Sequence, residues 1–227
     1  MTSRSDEEIR HEAKQEAAPA LGIVLLILVV LAFVSRSEGW EVLNRVPWWS
    51  WLLLAAPALV LFLDFRFDAG VVSSRRIALV AIRVLVLGNL VNLAILVGGL
   101  VTTSTRHLSG AELLLSAAAI WATNVIVFGL WYWEVDAGGP VVRAREETRT
   151  TPDFQFPQDE NPELAQPGWR PVVWDYLYVS LTNSIAFSAT DAMPLTRHAK
   201  ALMALGSLIS VVTVLLVGAR AVNVLNG

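Results

Sequence analysis

Five stretches of this chain, residues 18–34, 48–63, 77–101, 111–133 and 199–222, are apolar with few interruptions. About 17 or more apolar residues are what an α-helix needs to cross a hydrocarbon core roughly 30 Å thick. Within lipid, only a helix or a closed barrel satisfies every backbone polar group internally. The chain therefore reads as all-α and polytopic. Its 227 residues are 55% hydrophobic with a mean hydropathy of +0.54, high for a soluble domain. A net charge of −3 leaves no basic footprint for nucleic acid. The absence of cysteine excludes disulfides, thiolate metal sites and cysteine nucleophiles. His11, His107 and His198 lie far apart, so no metal site or cofactor is expected. No Ser/His/Asp set or paired-acid motif is apparent, and Glu134, Asp136, Asp175 and Asp191 read as dispersed interfacial acids. No catalytic residue is assigned and an enzyme is not expected.

In chain order, residues 1–17 form a polar tail with helical periodicity, read as a solvated helix or frayed end. The tail is mixed in charge and lacks a small-residue cleavage site, so residues 18–34 read as a retained span. Residues 18–134 then form a four-helix membrane region. Trp48, Trp49 and Trp51 suit the headgroup layer at the start of the second span, and Pro57 sits inside it. Arg83 lies about two turns inside the third span, either snorkelling to the interface or acting as a functional buried charge. Asn89 and Asn92 on span three and Asn124 on span four are expected to meet across a helix interface, because the bilayer offers their amides no water. Helix–helix glue and a solute path are the two readings of this trio. Residues 135–170 read as a long, largely irregular polar loop that Phe154, Phe156 and Trp169 could fold over the membrane surface.

Residues 171–227 carry the most specific pattern. A short helix is expected over about 172–185, with Pro171 in its first turn and Asp175 interacting with its free N–H groups. Fourteen residues reach about 21 Å at 1.5 Å per residue, short for a span and long enough for a re-entrant helix. Tyr176, Tyr178, Ser180, Thr182, Asn183 and Ser184 make this helix too polar to face lipid, so protein should wrap it. The polar break, Asp191, Pro194 and a long apolar helix follow.

This order resembles the pore helix, filter and inner helix of potassium-channel-like, two-transmembrane-type ion channels. The resemblance covers the last third of the chain and implies a pore-like element made of Thr182, Asn183, Ser184, Ala186, Phe187, Ser188, Ala189, Thr190 and Asp191. It also implies a homo-oligomer, tetrameric if channel-like. In a TVGYG filter, glycines permit the backbone geometry that rings the ion with carbonyls. Both glycines are missing here, so a potassium-type filter is not expected. The AFSATDAMPLT run, with YWE before GGP, is similar to an uncharacterised family of bacterial integral membrane proteins. On the last helix, Gly206, Ser210 and Thr213 share one face, suited to a helix contact or a pore wall.

With the N-terminus in the cytoplasm and five spans plus a re-entrant helix, twelve Lys and Arg fall on the cytoplasmic side and four on the far side. The positive-inside rule favours that arrangement. The alternative is six spans, with residues 176–191 crossing fully. The expectation is a multi-pass protein of the bacterial inner membrane, partnered by the lipid bilayer. Its activity would be that of a channel-like conduit for ions or small solutes, or a non-conducting structural or partner-binding role on the same fold.

Overall fold

The computed structural model describes residues 6–37, 50–67, 75–101, 110–144, 151–187 and 192–225, and the protein is mostly helical. Helices α1 (Asp6–Ser37), α2 (Ser50–Phe67), α3 (Arg75–Val101) and α4 (Gly110–Val135) come first. A 3-10 turn, Asp136–Gly138, leads into the short α5 (Pro140–Arg143). Strand β1 (Phe154–Gln155), α6 (Pro157–Glu160), α7 (Val173–Ala186), β2 (Met193–Pro194) and α8 (Arg197–Leu225) complete the chain. Four helices contain segments long and apolar enough to cross a membrane: Glu7–Ser37, Arg75–Gly98, Leu114–Gly138 and Arg197–Leu216.

Helix α1 is continuous from the polar tail into the apolar run, with Pro19 inside it. From Asp6 onward the polar tail is therefore the first part of this helix. Lys14 is buried and its ammonium lies 2.8 Å from the Asp64 carboxylate, which is fully buried near the end of α2. One turn of helix beside this pair, Gln15 donates to the Arg66 carbonyl. The two helices pack as a hairpin over small and aliphatic residues, among them Ala17, Leu21 and Val24 on α1 and Ala55, Ala58 and Leu61 on α2. Their outward residues, such as Leu26, Phe33, Leu59 and Leu63, are large, apolar and exposed.

Helix α4 is the centre of the fold, with α1, α3, α7 and α8 all packed on it. Its last two turns bury Phe128, Leu130, Trp131, Tyr132 and Trp133. Phe154 and Phe156 are buried too, and rings of Tyr132, Phe154, Tyr176, Phe156 and Trp169 follow one another at centroid separations of 5.2–6.1 Å. The polar loop is thus anchored by its aromatic residues between α4 and α7. Strand β1 pairs antiparallel with β2, placing Phe154 opposite Pro194 and Gln155 opposite Met193. The Thr196 hydroxyl hydrogen-bonds Asp153 and also accepts from the Ala199 N–H, tying the loop to the first turn of α8.

Candidate functional site

The polar frame begins at the end of α4, where an apolar helix must stop and its last carbonyls need partners. Arg75 supplies one set: its Nε and Nη2 donate to the Glu134 carbonyl at 3.1 and 2.8 Å. Arg143 supplies the other, its Nη1 donating to the carbonyls of Trp133 (2.7 Å) and Asp136 (2.6 Å). Two guanidiniums therefore close the negative end of the helix dipole. Gly139 allows this approach: its φ is 97°, and a Cβ there would lie 3.0 Å from Arg75 Nε and 3.2 Å from the Glu134 carbonyl. The GGP turn has a steric reason in this arrangement.

Asp136 is the hub. Its Oδ1 accepts from the N–H groups of Asp153 (2.7 Å) and Phe154 (3.1 Å), and its Oδ2 accepts from the Tyr176 hydroxyl at 2.5 Å. The Arg143 guanidinium lies over the Tyr176 ring, 5.1 Å from its centroid. Burial, with Asp136 beside it, raises the Tyr176 phenol well above its ordinary range, so the hydroxyl stays protonated and donates. Glu134 and Asp136 are buried, and Asp136 joins α4, the loop and α7 in one network.

The first turn of α7 is held from two directions. Asp175 accepts from Val172 N–H at 2.8 Å, and Glu16 of α1 accepts from Val173 N–H at 2.7 Å. Val172 is the cap, so Pro171 precedes the helix rather than opening its first turn. Further along, Gly129 lets the α7 backbone come close to α4, since a Cβ on it would lie 2.9 Å from Leu177 Cα. Tyr176, Ser180, Asn183 and Ser184 are buried, Thr182 is half-buried, and Trp174, Tyr178 and Ile185 are exposed. Protein thus wraps one face of α7 and leaves the other uncovered. Thr182 returns its hydroxyl to the Tyr178 and Val179 carbonyls.

Asn183 sits in the third turn of α7 and donates to the Met203 carbonyl at 3.0 Å, while Ser207 donates to the Asn183 carbonyl at 3.4 Å. Helix α7 ends at Ala186, and the exposed Phe187 takes a left-handed conformation with φ of 55°. Ser188, Ala189, Thr190 and Asp191 lie outside the described residues.

The three asparagines do not converge. Asn89 donates to the Ile120 carbonyl (3.1 Å), joining α3 to α4. Asn124 donates to the Gly206 carbonyl and to Ser210 Oγ, both at 3.0 Å, joining α4 to α8. Asn92 is half-buried, one turn beyond Asn89. A single amide can bridge to a neighbouring backbone without an amide partner, so each of the two interfaces carries its own. Gly206, Ser210 and Thr213 are buried, and a Cβ at Gly206 would lie 3.2 Å from both Phe128 and the Tyr132 hydroxyl. Within the chain, Gly206 and Ser210 of this stripe meet α4. Arg83 is exposed on α3 among Val80, Val84 and Leu87, a placement from which its guanidinium can reach the interface.

The hub, the two arginine caps and the Lys14–Asp64 pair were missed from sequence. A signal for the hub exists: an acid between an apolar helix and two glycines, followed by an arginine within one or two turns. Among the described residues no group of three His, Cys, Asp or Glu is placed to hold a metal. No family model, no curated protein and no solved structure matches the chain.

Proposed function

We propose that the chain is a multi-pass inner-membrane protein whose segment from α7 to α8 is a re-entrant, pore-like element, acting in a homo-oligomer as a conduit for ions or small solutes. One observation carries this reading. Tyr176 at the start of α7 and Arg197 at the start of α8 lie in one layer, joined through Phe154, β1, β2 and Thr196. From that layer α7 descends beside α8 as far as the Asn183–Met203 and Asn183–Ser207 contacts. Four residues from Asn183 its last turn has ended, and six more from Phe187 the chain is back at β2. A six-residue step can reach about 20 Å at most, so β2 is within reach of the end of α7. Non-helical backbone at membrane depth is tolerated when protein covers it or water lines it. The exposed face of Trp174, Tyr178, Ile185 and Phe187 is where neighbouring copies would provide that cover. In this reading α2, at 18 residues, is the fifth span, and the filter is not of the potassium type.

Purified protein in planar bilayers tests the conduit: a unitary conductance that changes on Asp191→Asn supports it. Silence under varied ions, pH and voltage, from a protein shown to be monomeric, removes it.

A second reading has an observation of its own. With Gly206, Ser210 and Thr213 turned toward α4, the outward face of α8 presents Ala201, Ala204, Leu208 and Leu215, none of them polar. A non-conducting membrane protein that binds a partner through this face would crosslink from Leu208 to a different chain. A conduit would crosslink from there to itself.

A further inference from the structure

A cleft of about 380 Å³ opens between the first turns of α1 and the chain on either side of the polar loop. Glu12 and Glu16 line it from α1, Arg143 from α5 and Arg170 from the entry to α7. Ile9, Ala13, Trp133, Pro140, Pro171 and Val172 form its apolar wall. It lies at the level where α1 passes from charged residues to the apolar run beginning at Ala17, beside the tryptophan that ends the apolar part of α4. That level is the headgroup layer of the leaflet on the N-terminal side.

The two guanidiniums differ in commitment. Arg143 is held with Nη1 on two carbonyls and its Cζ over the Tyr176 ring, while its Nε and Nη2 have no bond to a described residue. Arg170 is exposed and bonds to none of the described residues. Guanidinium donors with no bond to a described residue, beside apolar walls, suit a phosphate, which they can grip bidentately. The acids restrict which phosphate. The described lining holds two carboxylates and two guanidiniums, and Asp175 is near enough to act on Glu16, so an anionic headgroup would bring its charge to an acidic wall. A headgroup carrying an ammonium beside its phosphate is matched at both ends. The cation wall consists of carboxylates and not an aromatic cage, which favours an ammonium with N–H donors over a methylated one.

We infer that this cleft binds the phosphoethanolamine headgroup of a bilayer lipid, its phosphate on Arg170 and Arg143 and its ammonium on Glu12 and Glu16. The site is independent of conduction, and it places a lipid against Glu16, whose carboxylate also holds the first turn of α7.

Native mass spectrometry of the detergent-purified full chain with dioctanoyl phosphatidylethanolamine, phosphatidylcholine and phosphatidylglycerol, each titrated alone, tests it. The ethanolamine lipid should be retained about tenfold more tightly than either other lipid. Arg170→Ala and Glu12→Gln should each remove most of that preference, and Arg83→Ala should leave it intact. Both variant sites are exposed, and the thermal transition of each variant reports whether the fold persists. Equal retention of the three lipids, or an unchanged preference in both variants, overturns the assignment. Full displacement by equimolar O-phosphoethanolamine overturns it as well, because a soluble molecule would then suffice.

Discussion

The α1–α2 hairpin and the α4–α7–α8 unit are both packed helices at the same level of the fold, yet different forces specify them. The hairpin meets over alanines and aliphatic side chains, with its polar specificity concentrated at one end in Lys14, Asp64 and Gln15. The second unit is pinned along its length by Asp136–Tyr176, Asn183–Met203 and Asn124–Gly206. In lipid, apolar side chains gain little by leaving one hydrocarbon environment for another, so close packing and hydrogen bonds decide which helices pair and in what register. A helix that spans can rely on a smooth fit. A short helix such as α7 needs polar contacts to hold it at one depth.

Four substitutions test that contrast, read as unfolding free energy in detergent micelles. The largest effect belongs to Asp136→Ala, which strands two backbone N–H groups and the Tyr176 hydroxyl and should cost roughly 3–5 kcal/mol. A loss under about 1 kcal/mol would show that the hub does not organise the second unit. Lys14→Met leaves the Asp64 carboxylate without its ammonium and should cost roughly 3 kcal/mol. The double variant Lys14→Met/Asp64→Leu should recover most of it, because an apolar pair replaces the ions without a buried charge. If the double variant stays as unstable as the single, the hairpin depends on its charges more than the comparison allows.

Gly129→Ala comes next, at about 1–3 kcal/mol, since its methyl would meet the backbone of Leu177 and push α7 from α4. Weakened crosslinking between single cysteines on α4 and α7 should accompany it, with none of that change between α1 and α2. Smallest is Asn124→Leu, at about 0.6–1.7 kcal/mol, the range of interhelical hydrogen bonds in membranes. A null effect there would make Asn124 a bystander and leave Gly206 packing as what holds α4 to α8.

The helices were legible because hydropathy is local. The short helix expected over 172–185 is found at Val173–Ala186, and the last helix begins at Arg197 rather than residue 199. Lys14 was not legible as a buried residue, since its partner lies fifty residues away and its neighbours are charged. The partners of Asp136 were hidden for a similar reason: its three donors come from Asp153, Phe154 and Tyr176, which no local spacing brings together. Asn89 and Asn124 find partners on facing helices. That backbone carbonyls on facing helices would serve depends on helix packing, which periodicity does not specify.

The central claim is that α7 enters and returns on one side. The chain contains no cysteine, so single cysteines at the exposed positions Arg10, Arg170 and Arg197 can be probed in sealed vesicles of known orientation with a membrane-impermeant thiol reagent. The account predicts that all three react from the same face. Labelling of the cysteine at position 197 from the face opposite to that at position 170 would mean that the chain between them crosses the bilayer once, as a sixth span, and would contradict it.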